Sequence, residues 1–164
     1  MAGIQRELTL RFLAQPKDVN YGGKVFGGTV MGWIDQAAYA LAVGWSGHYA
    51  VTVYVGGIQF EAPVPIGSLI EVSSRLLHTG NSSMHIGVDV HARDPRAAEE
   101  TRQRNTHCIV VFVAIGEDGK ATPVPVYQPL TDEERELQAY AQRLMQLRSA
   151  VEAERRAFLA RRGA

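Results

Sequence analysis

Only one cysteine, Cys108, occurs in 164 residues, which excludes an intrachain disulfide framework and any thiolate metal cluster built from a single chain. A reducing compartment fits that usage, and cytoplasm is the expected location. No stretch approaches the ~18 consecutive apolar residues of a membrane span, and Met1 to Leu10 lacks the unbroken apolar core of a signal peptide. A soluble chain is expected. Net charge is missing as well: 17 lysines and arginines balance 17 aspartates and glutamates, so no bulk field points to nucleic acid or an anionic membrane. The five histidines, His48, His78, His85, His91 and His107, lack compact ligand spacing, and His85 and His91 would stand about 20 Å apart along one strand. No metal site is expected. A Gly-x-Ser-x-Gly elbow is absent too, which disfavours a serine hydrolase, and Cys108 lies in an apolar run where a small core residue is the ordinary role.

The length suits one domain with a sizeable core plus a tail. Leu8, Leu10 and Phe12 alternate with polar neighbours and predict a first strand, after which Pro16 to Gly28 breaks the pattern with one proline and four glycines. From Thr29 to about Ser46 nearly every residue is apolar, and the length favours a helix wrapped by protein on most sides. Period-two runs follow near 50 to 60, 67 to 78, 82 to 93 and 102 to 115, and Gly80-Asn81-Ser82 and Glu117-Asp118-Gly119 carry turn chemistry. In the third of these, Met84, Ile86, Val88 and Val90 alternate with His85, Gly87, Asp89 and His91. The expected fold class is therefore α+β: a mostly antiparallel sheet of about five strands wrapped around one long central helix. The domain is expected over residues 1–130. A C-terminal amphipathic extension over 131–164 opens with the capping box of Thr131 and Glu134 and carries Leu137, Leu144, Val151 and Phe158 as one apolar stripe. That stripe is expected to pack on its own domain or on a neighbouring subunit.

Asp35 is the one formally charged side chain in the apolar helix, and burying a carboxylate costs several kcal/mol unless it is paired. It serves either as a hydrogen-bonded structural group at a wet edge or subunit contact, or as a catalytic group. Just upstream, Asn20 to Gly28 ends in a glycine pair that lets a ligand approach the bare amides of the first helical turn. Those amides carry partial positive charge and form a candidate oxyanion site, although a tight turn alone would also use the glycines. Asp35 lies seven residues beyond Gly28, about 10 Å along the axis. A bulky substrate spans that gap, or a second subunit brings its own loop beside Asp35; the dimer is the preferred reading.

The run Pro16-Lys17-Asp18-Val19-Asn20 through Phe26-Gly27-Gly28, followed by Met31 and Ile34-Asp35-Gln36-Ala37-Ala38, resembles the signature of hotdog acyl-CoA thioesterases of the brain acyl-CoA hydrolase type and their small bacterial relatives. Phe60, Pro63-Val64 and Gly67 resemble the family's strand-to-turn segment, Gly80 to Met84 its next hairpin, and Val113-Ala114 with Pro123-Val124-Pro125 its last strand and exit. About residues 8 to 127 are covered. The resemblance implies a curled antiparallel sheet around a central helix, dimers that pair into one continuous sheet, and assembly as a trimer of dimers, that is, a hexamer.

It also implies an enzyme that hydrolyses a fatty-acyl-CoA. Asp35 would act as general base on a water, Asn20 would orient that water or the carbonyl, and the Gly28 amide would receive the oxyanion. Phe26, Gly27, Thr52 and Phe60, with Gly80, Ser82 and Ser83, are the implied substrate contacts. Coenzyme A is part of the substrate and no separate cofactor is expected. Arg93, Arg96, Arg102 and Arg104 cluster near the last hairpin, where solvated charge is the ordinary reading and phosphate capture the alternative. A non-catalytic acyl-CoA sensor or scaffold of the same fold is the runner-up, and a hotdog dehydratase would need a histidine near the helix that the chain lacks before His48. Gly56-Gly57 is expected to mark a bulge or room for an acyl chain.

Overall fold

Val30, Ile34, Ala37, Ala38, Leu41, Ala42 and Trp45 recur at steps of three or four and are all buried. That spacing lines one side of a helix. In the computed structural model, which describes residues 2–162 apart from the side chain of Glu100, these residues form the inner face of α1, Gly27–Ser46. Gly47 ends the helix: its φ of 72° lets its amide reach back to the Val43 carbonyl at 2.8 Å.

Five strands provide the surface that α1 covers. They are β1, Glu7–Leu13, β2, Tyr49–Gly56, β3, Leu69–Thr79, β4, Ser83–Arg93, and β5, Gln103–Ile115. Their order in the sheet is β1-β3-β4-β5-β2, and every neighbouring pair is antiparallel. Alternation places Met84, Ile86, Val88 and Val90 of β4 on the face toward α1, each fully buried. Register aligns Val72 with Val90, Ile86 with Val110, and Met84 with Phe112, so the apolar rows of adjacent strands coincide. The helix touches all five strands, and the fold is the expected α+β sheet wrapped around one helix. Trp45 closes its far end, with its indole N–H donating to the Pro125 carbonyl at 3.0 Å and its ring edge-on to Tyr127.

The bulge falls elsewhere than expected. Register between β2 and β5 slips between Thr52 and Tyr54, making Val53 the extra residue. Gly56 has a different reason to be bare, because a Cβ there would stand 2.4 Å from the Tyr54 ring, while Gly57 has a φ of 76°.

Residues 1–127 form one compact unit and residues 128–164 a second. The second contains α2, Asp132–Arg162, which begins with the capping box: the Glu134 amide donates to the Thr131 hydroxyl at 3.1 Å and the Thr131 amide to the Glu134 carboxylate at 3.3 Å. Leu147, Val151 and Phe158 are exposed along it. No helix among the described residues is long and apolar enough to cross a membrane.

Glu71 of β3 ties the outer face together, accepting from Arg11 of β1 at 2.7 Å and pairing with Arg102. Burial pushes its carboxyl up, but the Arg11 hydrogen bond and the charges of Arg102, Arg11 and His91 outweigh that and hold it below its ordinary value of 4.5. A depressed carboxyl stabilises the fold above its unfolded pKa and loses that contribution as pH falls through the folded one. Thermal unfolding of Glu71→Gln should therefore start below wild type at pH 7, and the gap in Tm should close as pH drops below 4.5. A gap constant with pH would mean that Glu71 acts through packing alone.

Candidate active site

The exposed side of α1 is small and nearly apolar: Gly28, Met31, Gly32, Gln36 and Tyr39 surround Asp35. The sequence suggests a buried carboxylate there, but within one chain Asp35 is exposed, because the sheet covers only the opposite face of the helix. Its Oδ1 accepts from the Thr52 hydroxyl at 2.7 Å. Thr52 is the last residue of β2 before the bulge, and the register pairs it with Phe112 of β5, on the face toward α1. The bulge then turns the rest of β2 over. Oδ2 of Asp35 has no partner, and no cation lies within ion-pair distance of the carboxylate, among the described residues. Thr52 thus fixes one oxygen and leaves the other able to accept a proton.

Asn20 stands at the tip of a tight loop between the 3-10 turn at Pro16–Asp18 and α1. Its amide donates to the Lys24 carbonyl at 2.7 Å, and its carbonyl accepts from Gly23 at 2.9 Å. Its side-chain Oδ1 accepts from the Gly22 amide at 2.9 Å and the Lys24 amide at 3.4 Å. Two ties join this loop to the body: Phe26 donates to the Asp18 carbonyl at 2.8 Å, and Val25 to that of Val64 at 2.9 Å. With Oδ1 occupied, the Nδ2 group of Asn20 is its remaining free donor among the described residues.

At the start of α1 the Phe26 carbonyl receives the amides of Thr29 and Val30, leaving those of Gly27 and Gly28 ahead of the first helical bonds. Both glycines lie under aromatic rings: a Cβ on Gly28 would come within 3.0 Å of Phe26, and one on Gly27 within 3.4 Å of Phe60. A Cβ at Gly28 would crowd the Phe26 ring, whereas one at Gly27 would make ordinary contact with Phe60. Phe26 and Phe60 are 58% and 50% exposed, an apolar rim beside two unpaired donors.

The structure therefore brings together Asp35 with Thr52, and Gly27 and Gly28 with Phe26 and Phe60. It does not join Asn20 to Asp35 by a hydrogen bond within one chain. Gly80, Ser82 and Ser83 sit in the β3–β4 turn, where the Gly80 amide donates to the Ser83 carbonyl at 2.9 Å and the Ser82 carbonyl accepts from Ala114. None of these three is hydrogen-bonded to the other candidates. Sequence reasoning ranked Thr52 only as a substrate contact; its bond to Asp35 needed the register of β2.

A cavity of about 600 Å³ lies between Ala62–Ser68 and the Ala92–Asn105 segment, bordered by none of Asn20, Gly28 and Asp35. The arginines near it are already engaged. Arg93 pairs with Glu99, Arg96 with Asp94, Arg102 with Glu71 and Arg104 with Glu61. The Arg96 side chain and amide hold the Asp94 carboxyl down at about 2. Among the described residues no three metal-ligating side chains converge, and the Cys108 thiol is buried and pushed up to about 12 by desolvation and by Asp89, which leaves it without a nucleophilic role.

The family profile described as the thioesterase superfamily matches residues 22–99 of this chain. The acyl-CoA thioester hydrolase YciA of Salmonella typhimurium is 35% identical over 125 residues, which span 74% of this chain and 92% of the relative. Among solved structures, an apo-hexameric acyl-CoA thioesterase superposes with a TM-score of 0.86 at 29% identity, over 93% of this chain and 97% of its own. An acyl-CoA hydrolase from Staphylococcus aureus, solved with butyryl coenzyme A and coenzyme A, shares the fold at a TM-score of 0.87 and 22% identity, covering 100% and 99% of the two chains. That hydrolase has also been solved with alanine in place of one asparagine, one aspartate or one threonine.

The Asn20 loop can be tested apart from any chemistry. Asn20→Ala removes the Oδ1 acceptor, and amide hydrogen exchange at Gly22 should accelerate about tenfold, the equivalent of one ordinary hydrogen bond. Asn20→Asp keeps an acceptor and should leave that rate near wild type. Equal exchange in all three proteins would show that the side chain does not hold the loop.

Proposed function

Because this chain belongs to the thioesterase superfamily and is an acyl-CoA thioester hydrolase of hotdog fold, we propose that it cleaves fatty-acyl-CoA with Asp35 as the general base. The observation that carries this reading is the Asp35 carboxylate itself. It is exposed, has no counter-charge among the described residues, and has one oxygen pinned by Thr52 at 2.7 Å while the other is open.

In this reaction Asp35 Oδ2 takes a proton from a water as the water oxygen bonds to the thioester carbonyl carbon. Charge then develops on the carbonyl oxygen, which the Gly28 amide stabilises at the positive end of α1. Collapse of the tetrahedral adduct breaks the carbon–sulfur bond and returns the proton from Asp35 to the departing thiolate. The products are a fatty acid and coenzyme A. No group beyond the substrate and water enters the balance. Asn20 Nδ2 orients the water or the carbonyl, and Phe26, Gly27 and Phe60 border the thioester. Gly80, Ser82 and Ser83 contact the pantetheine arm.

Asp35 lies seven positions beyond Gly28, so one substrate carbonyl cannot touch both on the same helix, about 10 Å apart along its axis. Each site is therefore built from Asp35 and Thr52 of one protomer and the partner's Asn20 and Gly28. Support comes from β2, an edge strand with Tyr49, Val53 and Val55 exposed, which would pair with its copy into one continuous sheet. The hexameric state of the similar thioesterase supports assembly as a trimer of dimers. The three alanine replacements in the Staphylococcus aureus hydrolase follow the same chain intervals as Asn20, Asp35 and Thr52, fifteen and then seventeen residues. Such an enzyme acts on dissolved acyl-CoA in the cytoplasm.

Thiol release from acyl-CoAs of increasing chain length tests the assignment. Asp35→Ala should lower kcat by about 10²–10⁴, the usual contribution of a general base, in a protein of unchanged oligomeric state. Thr52→Val should cost about tenfold and Thr52→Ser little, since the serine hydroxyl restores the donor. Near-wild-type turnover in Asp35→Ala would remove it from the chemistry. Saturable binding without turnover in the wild type would favour an acyl-CoA sensor.

A further inference from the structure

Gly32 lies on the exposed face of α1, and nothing in its own chain requires a glycine there. Its φ is not in the left-handed region, and among the described residues a Cβ built on it would meet no atom within 4 Å beyond its own stretch of helix. Glycine in a helix interior is destabilising relative to alanine, because it loses more backbone freedom on folding. Other glycines of α1 do have near neighbours: a Cβ on Gly28 would press on Phe26, and one on Gly44 would run into the Gln5 side chain. A side chain at Gly32 would therefore stand in open space beside its own protomer.

Symmetry identifies the occupant, given the two-protomer site proposed above, on which this step rests. If Asp35 of one protomer faces the partner's Gly28, a two-fold axis makes the relation reciprocal, and the two α1 helices run antiparallel across it. The position that faces its own copy is then midway between residues 28 and 35, at Met31 and Gly32. Helix axes approach most closely where the contact residues are small. We infer that α1 of one protomer crosses α1 of its partner at Gly32, and that the missing side chain sets the spacing at which Asp35 reaches the partner's Gly28. Gly32 is thus a positioning residue: it touches no reacting atom, but a side chain there pushes the two halves of each site apart. A displacement of about 1 Å in such a site can cost about 100-fold in rate.

Cysteine scanning along this face provides the test. Gly32→Cys and Gln36→Cys proteins are treated with a mild oxidant and resolved on non-reducing gels. Cys108 is 1% exposed and does not compete. Gly32→Cys should form covalent dimers. Gln36→Cys should not, because its copy stands nine residues away along the antiparallel helix, about 13 Å. Gly32→Leu, at unchanged oligomeric state by light scattering, should lose at least about tenfold in kcat with KM within about twofold, and Gly32→Ala should fall between it and wild type. Cross-linking at Gln36 rather than Gly32, or a Gly32→Leu enzyme of full kcat, overturns the inference. If Gly32→Leu fails to assemble, the cysteine pair still decides. Asp35→Ala separates this from the catalytic reading: full activity in Asp35→Ala with cross-linking intact at Gly32→Cys would sink the base assignment alone, whereas lost activity without cross-linking would sink the crossing alone.

Discussion

Everything in the first unit depends on a single burial: one helix covering the concave face of a five-stranded sheet. The inner rows of β3, β4 and β5 are mostly apolar and buried, and Val30, Ile34, Ala37, Ala38, Leu41, Ala42 and Trp45 of α1 stand opposite the sheet to exclude water. Each large side chain in that layer contributes about 1.5–3 kcal/mol. A helix held so firmly by one side presents its other side at a fixed angle. Gly28, Gly32 and Asp35 lie on that other side, so the core that stabilises the fold also orients the residues of the proposed site.

The second constraint is the β2 bulge. Strand alternation alone would carry the side of β2 that bears Thr52 unchanged along its length, with Tyr54 on the same face. The slip at Val53 ends that alternation just after Thr52 has met Asp35, and turns Tyr54 to the opposite face, where its ring covers Gly56. One extra residue therefore separates a polar contact to the helix from the surface of an open edge strand. The Asn20 loop is held in a comparable way: backbone bonds to Asp18 and Val64 fix its base, and Oδ1 of Asn20 closes its tip. These restraints leave Asp35 Oδ2, Asn20 Nδ2 and the first two amides of α1 without partners among the described residues, and the proposed mechanism draws on these groups.

Arg93, Arg96, Arg102 and Arg104 each have a carboxylate partner, while Asp35, like the exposed Glu117 and Asp118, has no ion pair among the described residues. The large cavity near those arginines is lined by prolines and by cations already paired, and it lies away from Asp35. The cavity and the Asp35–Thr52 pair thus lie apart, as the proposed site between protomers requires, since such a site encloses no volume in one chain.

Local chemistry was enough to place the elements. Period-two alternation in Met84 to Val90, the unbroken apolar run of α1 and the Thr131–Glu134 box each depend on neighbours a few residues apart, and all appear in the structure. Asp35 stood out for the same reason, as a lone charge in an apolar segment. Strand order, the displacement of β2 to the edge beside β5, and the bulge at Val53 rather than at Gly56 were invisible, because register is decided by which rows of side chains coincide across strands far apart in the chain. The same holds for the bond from Thr52 to Asp35, whose partners are seventeen residues apart and meet only when β2 packs beside α1. The exposure of Asp35 was equally hidden: composition marks the whole segment as apolar, and only the sheet decides which side of it is covered. The sequence by itself determined the helix, the strands and the odd carboxylate, since these follow from periodicity and solvation. Tertiary structure alone decided which of the carboxylate's oxygens is held and which is free, because that is a matter of what the fold brings within 3 Å.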